Sequence, residues 1–216
     1  MAWSAVFIVA AYLIGAIPFG LLIARLYGVP DIRRVGSGNI GATNVMRVLG
    51  FRAAIWVFLL DIGKGAGVVL AAGLAPQAVI PRELFLVLAS LAVILGHVFS
   101  IYLGFKGGKG VSTAFGCLVV LLPVETLTAA VVFAVVALWS RYVSLASISA
   151  ALALPLALAF RAAAFDHQTS AVYWAMALVL ALLVPITHRQ NIRRLAAGTE
   201  PRLSLGGKSS EAGSHA

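Results

Sequence analysis

Residues 84–104 read LFLVLASLAVILGHVFSIYLG, and residues 105–113 continue as FKGGKGVST. The first stretch is long enough to cross a bilayer as one helix, for which about 20 mostly apolar residues are needed. The second stretch combines glycines, which expose backbone N–H groups, with lysines, and both features bind anions such as phosphate. A spanning helix that leads into such a loop predicts a membrane protein that handles a phosphate-bearing molecule at the membrane surface.

The composition of the whole chain also indicates a membrane protein. Of its 216 residues, 62% are hydrophobic and only 11% are charged, whereas a soluble domain is about half apolar and a quarter charged. Charged side chains are costly in hydrocarbon, which explains their scarcity. The one cysteine, Cys117, lies in an apolar stretch and is expected to be a small core residue.

Seven apolar segments are candidate membrane spans. The fourth and fifth are short and separated only by residues 122–124, so they can also be interpreted as one kinked segment. We predict a single membrane-embedded domain at residues 1–204, followed by a Gly/Ser-rich, disordered tail at residues 205–216. The seven segments are residues 4–26, 53–74, 84–104, 111–122, 125–140, 143–161 and 170–187.

The distribution of basic residues favours seven spans over six. With seven, 13 of the 16 lysines and arginines collect on one face, and only Arg82 and Arg161 lie on the other. Cytoplasmic loops carry such an excess, and six spans would move Arg141 and the basic C-terminal segment outside. We therefore predict an all-α bundle of seven transmembrane helices with the N-terminus outside and the C-terminus cytoplasmic. The 13 residues are Arg25, Arg33, Arg34, Arg47, Arg52, Lys106, Lys109, Arg141, Arg189, Arg193, Arg194, Arg202 and Lys208.

Two functional classes are disfavoured by charge. The net charge of +9 does not indicate a nucleic-acid partner, because the basic residues are spread over loops between apolar spans. The chain has only seven acidic residues, none within three positions of another. Metal-dependent phosphoryl transfer needs clustered carboxylates, so we predict no metal site and no cofactor.

The first glycine-rich loop reads SGNIGATN at residues 37–44. Its hydroxyl and amide side chains can bind phosphate oxygens, and its glycines permit close backbone approach. If a helix begins near Thr43, Arg47 lies one turn further on and faces the same way. The alternative is a polar turn that caps a helix. The candidate ligands are Ser37, Gly38, Asn39, Gly41, Thr43, Asn44 and Arg47.

The second loop, KGGKG at residues 106–110, precedes the predicted fourth span. A helix N-terminus there would add free N–H groups and a partial positive charge. Because no strand precedes it and the spacing is not G-x-x-x-x-G-K-[ST], ATP binding is not predicted. The alternative is a flexible basic connector. The candidate ligands are Lys106, Gly107, Gly108, Lys109, Gly110, Ser112 and Thr113.

Two histidines lie near the predicted cytoplasmic face. His97, near the end of the third span, is a candidate base, phosphate ligand or packing residue. His188 and Asn191 are spaced i, i+3 and share one helix face just past the seventh span. That face either completes an anion pocket or is an ordinary polar helix end.

Two pairs of polar residues lie inside predicted spans. Asp61 and Lys64, also spaced i, i+3, are predicted to form a structural ion pair, because ionisable groups in membranes are usually paired; the second interpretation is that they orient the active site. Ser144 and Ser147 are helix-packing residues or, for Ser147, a substrate ligand.

Together these motifs resemble the bacterial acyl-phosphate:glycerol-3-phosphate acyltransferase family, the PlsY family. The resemblance covers nearly the whole chain up to about Arg202, and the segment DIGKG at residues 61–65 is also similar to the family. It rests on GSGNIGATN at 36–44 with Arg47, on GH at 96–97 through FKGGKGVST at 105–113, and on His188-x-x-Asn191 through RL at 194–195 and GTE at 198–200.

The resemblance implies that a fatty acyl group moves from acyl phosphate to the 1-hydroxyl of glycerol 3-phosphate, giving lysophosphatidic acid and phosphate at the bacterial cytoplasmic (inner) membrane. It implies that Ser37 and Arg47 are essential, that the glycine–lysine loop binds glycerol 3-phosphate, that His188 and Asn191 are needed, and that Glu200 is structural. The implied partners are the two substrates, the bilayer and, as a candidate, an upstream enzyme that forms acyl phosphate. The sequence leaves the oligomeric state open.

The chemistry fits these residues. Acyl phosphate is an activated mixed anhydride, so neither ATP nor coenzyme A is needed. Positive side chains would neutralise phosphate as the C–O bond breaks. The proton acceptor is His97, His188 or the departing phosphate, and the phosphate is favoured because neither histidine has an obvious carboxylate partner. The predicted catalytic set is Ser37, Arg47, Lys109, His97, His188 and Asn191.

The alternative function is a membrane carrier or channel for an organic phosphate. It predicts a polar path across the bilayer and polar loops on both faces. The predicted outer loops, such as LAPQA at residues 74–78, are short and poor in charge, and no inverted repeat of the kind found in many transporters is present. The enzyme is therefore the favoured interpretation.

The charge asymmetry generates a test of topology. Reporter fusions after Arg141 and after Arg202 are both expected to report a cytoplasmic location, because seven spans place both positions on the basic face. An external signal from either fusion would contradict the seven-span arrangement.

Overall fold

The structure is a computed structural model that describes residues 2–76, 80–166 and 168–203. Every regular element within these residues is a helix, which confirms the all-α prediction. The tail predicted at residues 205–216 lies outside the described residues.

The described chain forms ten α-helices and two short 3-10 helices. The α-helices are α1 Ala2–Ala16, α2 Phe19–Leu26, α3 Ala42–Leu49, α4 Phe51–Leu74, α5 Arg82–Val98, α6 Val111–Leu121, α7 Pro123–Ser140, α8 Val143–Phe165, α9 Ala171–Thr187 and α10 Arg189–Ala196. The 3-10 helices are Ile32–Arg34 and Ile101–Leu103.

Five segments of the described chain are long and apolar enough to cross a membrane: Trp3–Leu26, Arg82–Leu103, α4, α7 and α8. The pair α9 and α10, bent by 59°, gives a sixth if it counts as one span. Helix α6, predicted as the fourth span, has only 11 residues, about 16 Å of helix against a hydrocarbon core of about 30 Å. The protein is thus a multi-pass membrane protein, while the count of seven spans stays a prediction.

The first span is broken between α1 and α2 at Ile17-Pro18. Proline has no N–H to donate and disfavours helix at the residue before it. The carbonyl groups freed at the break find partners on other helices: the Ser100 hydroxyl donates to Ala16 O at 2.6 Å, and Lys64 Nζ donates to Ile17 O at 3.1 Å. The break therefore ties α1 to α4 and to the end of α5.

Glycine allows α4 and α6 to pack at close range. A Cβ atom at Gly65 would collide with Thr113 O, and one at Gly116 would collide with Ile62 O. Small residues drive helix association in lipid because they let backbones approach closely. The two contacts place the crossing point of these helices near Gly65 on α4 and Gly116 on α6.

A separate apolar cluster fixes the first glycine-rich loop against the bundle. It joins α2, the Ile32–Arg34 turn, α3 and the start of α4. Its fully buried members include Ile32, Val45 and Val57. The loop between Ile32 and α3 is therefore held at both ends by core contacts.

The close packing of α4 on α6 gives a stability prediction. Gly65→Ala is expected to destabilise the protein by about 1–3 kcal/mol, the usual cost of overpacking, because the added methyl group meets backbone that cannot move aside. Gly63→Ala is the matched control, since a Cβ there meets nothing within 4 Å. Thermal unfolding in detergent should show a lower Tm for Gly65→Ala alone; equal Tm values for the two variants would contradict this packing.

Candidate active site

A cavity of about 380 Å³ opens where the three motifs meet. Its polar part is formed by the two glycine-rich loops, α3 and the junction of α9 with α10. Its apolar part extends between α6, α7, α8 and α9, where Phe115, Phe133, Leu154 and Leu180 contribute to the wall. A molecule with a charged head and a long apolar tail would fit this division.

Asn44 holds the first loop in shape. Its Oδ1 accepts a hydrogen bond from Ser37 N at 2.7 Å, and its Nδ2 lies 3.2, 3.1 and 2.9 Å from the carbonyl oxygens of Ile32, Val35 and Asn39. The amide hydrogens of Asn44 are thus occupied within the protein. The predicted role of Asn44 as a phosphate donor is corrected: Asn44 lines the cavity, but its amide hydrogens hold the loop in shape.

The structure brings α3 and most of the first loop to the cavity. Helix α3 begins at Ala42, close to the predicted start, and Arg47 reaches the cavity one turn later. Gly38 is exposed with φ +72° and does not line the cavity. The loop residues that line it are Ser37, Asn39, Gly41, Thr43 and Asn44.

Arg47 has hydrogen-bonding capacity to spare. Its Nη2 donates to Pro201 O at 3.3 Å, while its Nε is buried and has no partner among the described residues. Leaving a buried donor unsatisfied costs about 1–3 kcal/mol, more for a charged group. The guanidinium is therefore placed to receive an anion in the cavity.

The second loop uses its backbone for anchoring rather than for ligand binding. Gly107 N donates to Val98 O at 3.1 Å and Gly108 N donates to His97 O at 3.0 Å. These N–H groups are consumed by the last carbonyl groups of α5, which corrects the expectation that they would bind phosphate. Lys106 is exposed, and neither it nor Thr113, which lies beside His97, lines the cavity.

Lys109 is the residue of the second loop that presents positive charge to the cavity, beside Gly110 and Ser112. Burial lowers the pKa of Lys109 from its ordinary value of 10.5 to about 8; the Glu200 carboxylate opposes this shift, while the positive charges of Arg194 and Arg47 add to it. An anion bound among these groups would relieve their mutual repulsion.

His188 and Asn191 both line the cavity, as their spacing predicts. His188 Nδ1 lies 2.8 Å from Val184 O. A carbonyl oxygen only accepts, so Nδ1 carries the hydrogen and Nε2 of the neutral ring remains an acceptor. The Asn191 amide donates to Glu200 Oε1 at 2.6 Å.

Glu200 joins three segments of the chain. Besides Asn191, it accepts hydrogen bonds from Ser144 Oγ at 2.7 Å and from Arg194 Nε at 2.7 Å. Burial alone would raise the pKa of Glu200, but these hydrogen bonds outweigh it and hold the pKa below its ordinary value. Ser144 and Ser147 both line the cavity. The sequence does not predict the bond from Ser144 to Glu200, and Ser147, a predicted ligand, donates its hydroxyl to Val143 O.

Asp61 and Lys64 form the predicted ion pair, with Asp61 Oδ1 2.8 Å from Lys64 Nζ. The same oxygen lies 3.4 Å from His97 Nδ1, which corrects the expectation that no histidine has a carboxylate neighbour. The packing of α4 on α5 creates this contact between residues distant in sequence. Among the described residues, no three His, Cys, Asp or Glu side chains come together as metal ligands.

The fold and cavity define an integral membrane protein with a cavity among its helices that is lined by Arg47, Lys109 and His188. A family model described as glycerol-3-phosphate acyltransferase matches residues 5–198. The chain belongs to this family.

Curated relatives and solved structures agree. Glycerol-3-phosphate acyltransferase of Geotalea daltonii is 45% identical over 195 residues, covering 90% of this chain and 95% of the relative; that of Geobacter sulfurreducens is 47% identical over 192 residues, covering 89% and 93%. The crystal structure of PlsY, an integral membrane glycerol 3-phosphate acyltransferase, in its glycerol 3-phosphate form is 40% identical with a TM-score of 0.81, covering 93% of this chain and 96% of PlsY. The lysophosphatidic acid form of PlsY is 39% identical with a TM-score of 0.79, covering 93% and 95%.

The hydrogen bonds of Glu200 give a prediction about stability and pH. In Glu200→Gln the amide NH₂ faces a hydrogen-bond donor in either orientation of the side chain. We therefore expect the free energy of unfolding to fall by about 1.5–3 kcal/mol, the value of a hydrogen bond to a charged group. Because the pKa of Glu200 is lowered on folding, its contribution is present at neutral pH and fades as the pH falls below about 4.

Thermal unfolding at neutral and at acidic pH measures both effects. The difference in Tm between the wild type and Glu200→Gln should narrow in acid. Glu83→Gln, which changes an exposed carboxylate, is the control and should leave Tm almost unchanged. A Glu200→Gln difference that stayed constant with pH would argue against a charged Glu200.

Proposed function

We propose that this chain is an acyl-phosphate-dependent glycerol-3-phosphate 1-O-acyltransferase, which makes lysophosphatidic acid for phospholipid synthesis. The observation that carries the proposal is the cavity that joins an end bearing Arg47, Lys109 and His188 to an apolar space between helices. A phosphate group suits the first part and a fatty acyl chain the second. Membership of the family, and PlsY structures in glycerol 3-phosphate and lysophosphatidic acid forms, support the acceptor and the product.

The proposed reaction needs no nucleotide. The 1-hydroxyl oxygen of glycerol 3-phosphate attacks the acyl carbon of acyl phosphate, the bond from that carbon to the phosphate oxygen breaks, and an ester forms. The proton of the hydroxyl ends on the released phosphate. Acyl phosphate is suited to be the acyl donor, because its mixed anhydride is already activated and needs neither ATP nor coenzyme A.

The residues around the cavity have different roles in the proposed reaction. Arg47 and Lys109 bind phosphate and neutralise the charge that develops as the C–O bond breaks. Ser37 and its neighbours on the first loop complete the anion site. His188 offers Nε2 as an acceptor to the attacking hydroxyl and so orients it, and Asn191 and Glu200 hold this arrangement together.

The proposed arrangement in the bacterial inner membrane has seven passes, an external N-terminus and the cavity on the cytoplasmic face. The excess of basic residues on one face supports this orientation. The same charge excess supports counting α6 as a pass, although its 11 residues are too short to cross alone: without it, Arg141 and the basic segment after α9 would lie outside.

The direct test is an assay of purified protein with palmitoyl phosphate and labelled glycerol 3-phosphate, without ATP or coenzyme A and with excess EDTA. We expect lysophosphatidic acid and phosphate in equal amounts, and no product when palmitoyl-coenzyme A replaces palmitoyl phosphate. Protein in vesicles that moved labelled glycerol 3-phosphate across the bilayer without forming product would favour the carrier instead. Activity that needed Mg²⁺ would contradict the proposed chemistry.

Replacing Arg47 by lysine separates phosphate binding from membrane orientation. Arg47→Lys keeps the positive charge but loses the planar fork that binds phosphate through two hydrogen bonds. We expect a folded, inserted protein whose kcat/KM falls at least about tenfold. Arg52→Lys, at an exposed position, is the control and should keep wild-type activity; the same result for Arg47→Lys would reduce Arg47 to a topology determinant.

The lowered pKa of Lys109 predicts how activity depends on pH. In the free enzyme Lys109 is charged below about pH 8 and neutral above it, so kcat/KM for glycerol 3-phosphate should fall up to about tenfold per pH unit above that value. Lys109→Arg should reduce the fall, because arginine stays charged. Lys106→Arg, on the same loop but exposed, should show the same fall of kcat/KM as the wild type. An equal fall in Lys109→Arg and Lys106→Arg would assign the pH dependence to another group.

A further inference from the structure

A buried polar cluster lies directly beneath the second loop. The side chains of Asp61 and Lys64 are each 3% exposed and that of His97 is 5% exposed. Lys64 Nζ lies 2.8 Å from Asp61 Oδ1, 2.9 Å from His97 Nδ1 and 3.1 Å from Ile17 O. Ionisable groups at such depth are costly and commonly functional, yet phosphate binding in the proposed reaction does not require Lys64 at all.

The ammonium group of Lys64 fixes the hydrogen of the His97 ring. A charged lysine only donates hydrogen bonds, so His97 Nδ1, its neighbour at 2.9 Å, is the acceptor. With Nδ1 as an acceptor, a His97 ring that holds a single hydrogen carries it on Nε2. A histidine base oriented by a carboxylate has the opposite arrangement, with the hydrogen on Nδ1 and a free Nε2.

The other edge of the His97 ring supports the second loop. Gly108 packs so closely on this edge that a Cβ atom at position 108 would collide with His97 Nε2. The peptide groups add to this contact, because Gly108 N donates to His97 O. The residue that follows Gly108 is Lys109, the cation of the proposed phosphate site.

We propose that His97, held by Lys64 and Asp61, is a positioning residue. Its ring sets the position of the second loop relative to α5 and thereby places Lys109 for phosphate binding. The proposal rests on the proposed function. It gives a role to His97 and Asp61, which line the cavity but take no part in the proposed reaction, and to Lys64. It also removes His97 from the candidates for the proton acceptor. The chain of contacts runs from α4 through the ring of His97 to the loop.

The first test is a compensation experiment. Gly108→Ala should raise KM for glycerol 3-phosphate about tenfold, equivalent to about 1.4 kcal/mol, because the new methyl group lifts the loop off the His97 ring. His97→Asn retains an acceptor near the Nδ1 position for Lys64 but removes the Nε2 edge. The double variant Gly108→Ala/His97→Asn should then have a lower KM than Gly108→Ala alone.

The second test is a double-mutant cycle with Lys109. His97→Asn alone should raise KM for glycerol 3-phosphate, leave KM for palmitoyl phosphate nearly unchanged and keep the shape of the pH profile. In the Lys109→Ala background it should have little further effect, since both changes remove the same contact. Equilibrium binding of labelled glycerol 3-phosphate provides the same comparison without turnover.

A remote buried ion pair provides the control for general destabilisation. Arg161 Nη1 lies 2.9 Å from Glu125 Oε1 between α8 and α7, and Glu125 does not line the cavity. Glu125→Gln should lower Tm while leaving KM for glycerol 3-phosphate unchanged. The same pattern in His97→Asn would reduce the cluster to a structural role and overturn the proposal.

The remaining outcomes separate this inference from the proposed function. Additive effects of His97→Asn and Lys109→Ala, or no compensation in the double variant, would overturn the positioning role even if the wild type is active. A loss of more than about a thousandfold in kcat with a changed pH profile would make His97 the base. If the wild type binds glycerol 3-phosphate but forms no product, the proposed function fails, and the binding cycle alone decides the positioning role.

Discussion

Few polar groups can be left without partners inside a bilayer, because each one costs several kcal/mol there. Lys64 shows how much of this molecule depends on that constraint. Its ammonium group satisfies the carbonyl freed at the break between α1 and α2, balances Asp61 and occupies Nδ1 of His97. One side chain on α4 thereby joins the first span to the end of α5, where the glycine–lysine loop begins.

The need to satisfy polar groups inside the protein also determines which hydrogen-bonding groups of the two loops remain available to a ligand. Both glycine-rich loops use several backbone groups internally: the Asn44 side chain accepts from Ser37 N and donates to Asn39 O, and the N–H groups of Gly107 and Gly108 donate to the end of α5. These hydrogen bonds tie both loops to the helices beside them. Arg47 and Lys109 line the cavity beside the two loops. In the proposed reaction, positive charge that is already in place would stabilise the negative charge that develops on the phosphate.

Sequence reasoning predicted what depends on local spacing and missed what depends on packing. Apolar length located α4, α8 and α9 to within a few residues, and i, i+3 spacing predicted both the Asp61–Lys64 pair and the shared face of His188 and Asn191. The proximity of Asp61 to His97 depends on how two helices pack, and no local pattern encodes it. Glycine in a loop likewise indicates an available N–H, but only the fold shows that α5 already accepts it. The short α6 follows from Pro123, which begins α7 directly after it.

The charges around the cavity do not balance without a ligand. Arg194 is paired with Glu200 at 2.7 Å, which leaves Arg47 and Lys109 without a carboxylate of their own in the described site. Because both are partly buried, their repulsion is weakly screened, and this repulsion contributes to the low pKa of Lys109. A phosphate group that entered would supply the missing negative charge and favour the protonated lysine. The substrate would then complete an electrostatic arrangement that the protein alone leaves unfinished, so that affinity and the charge needed for the chemistry would have the same origin.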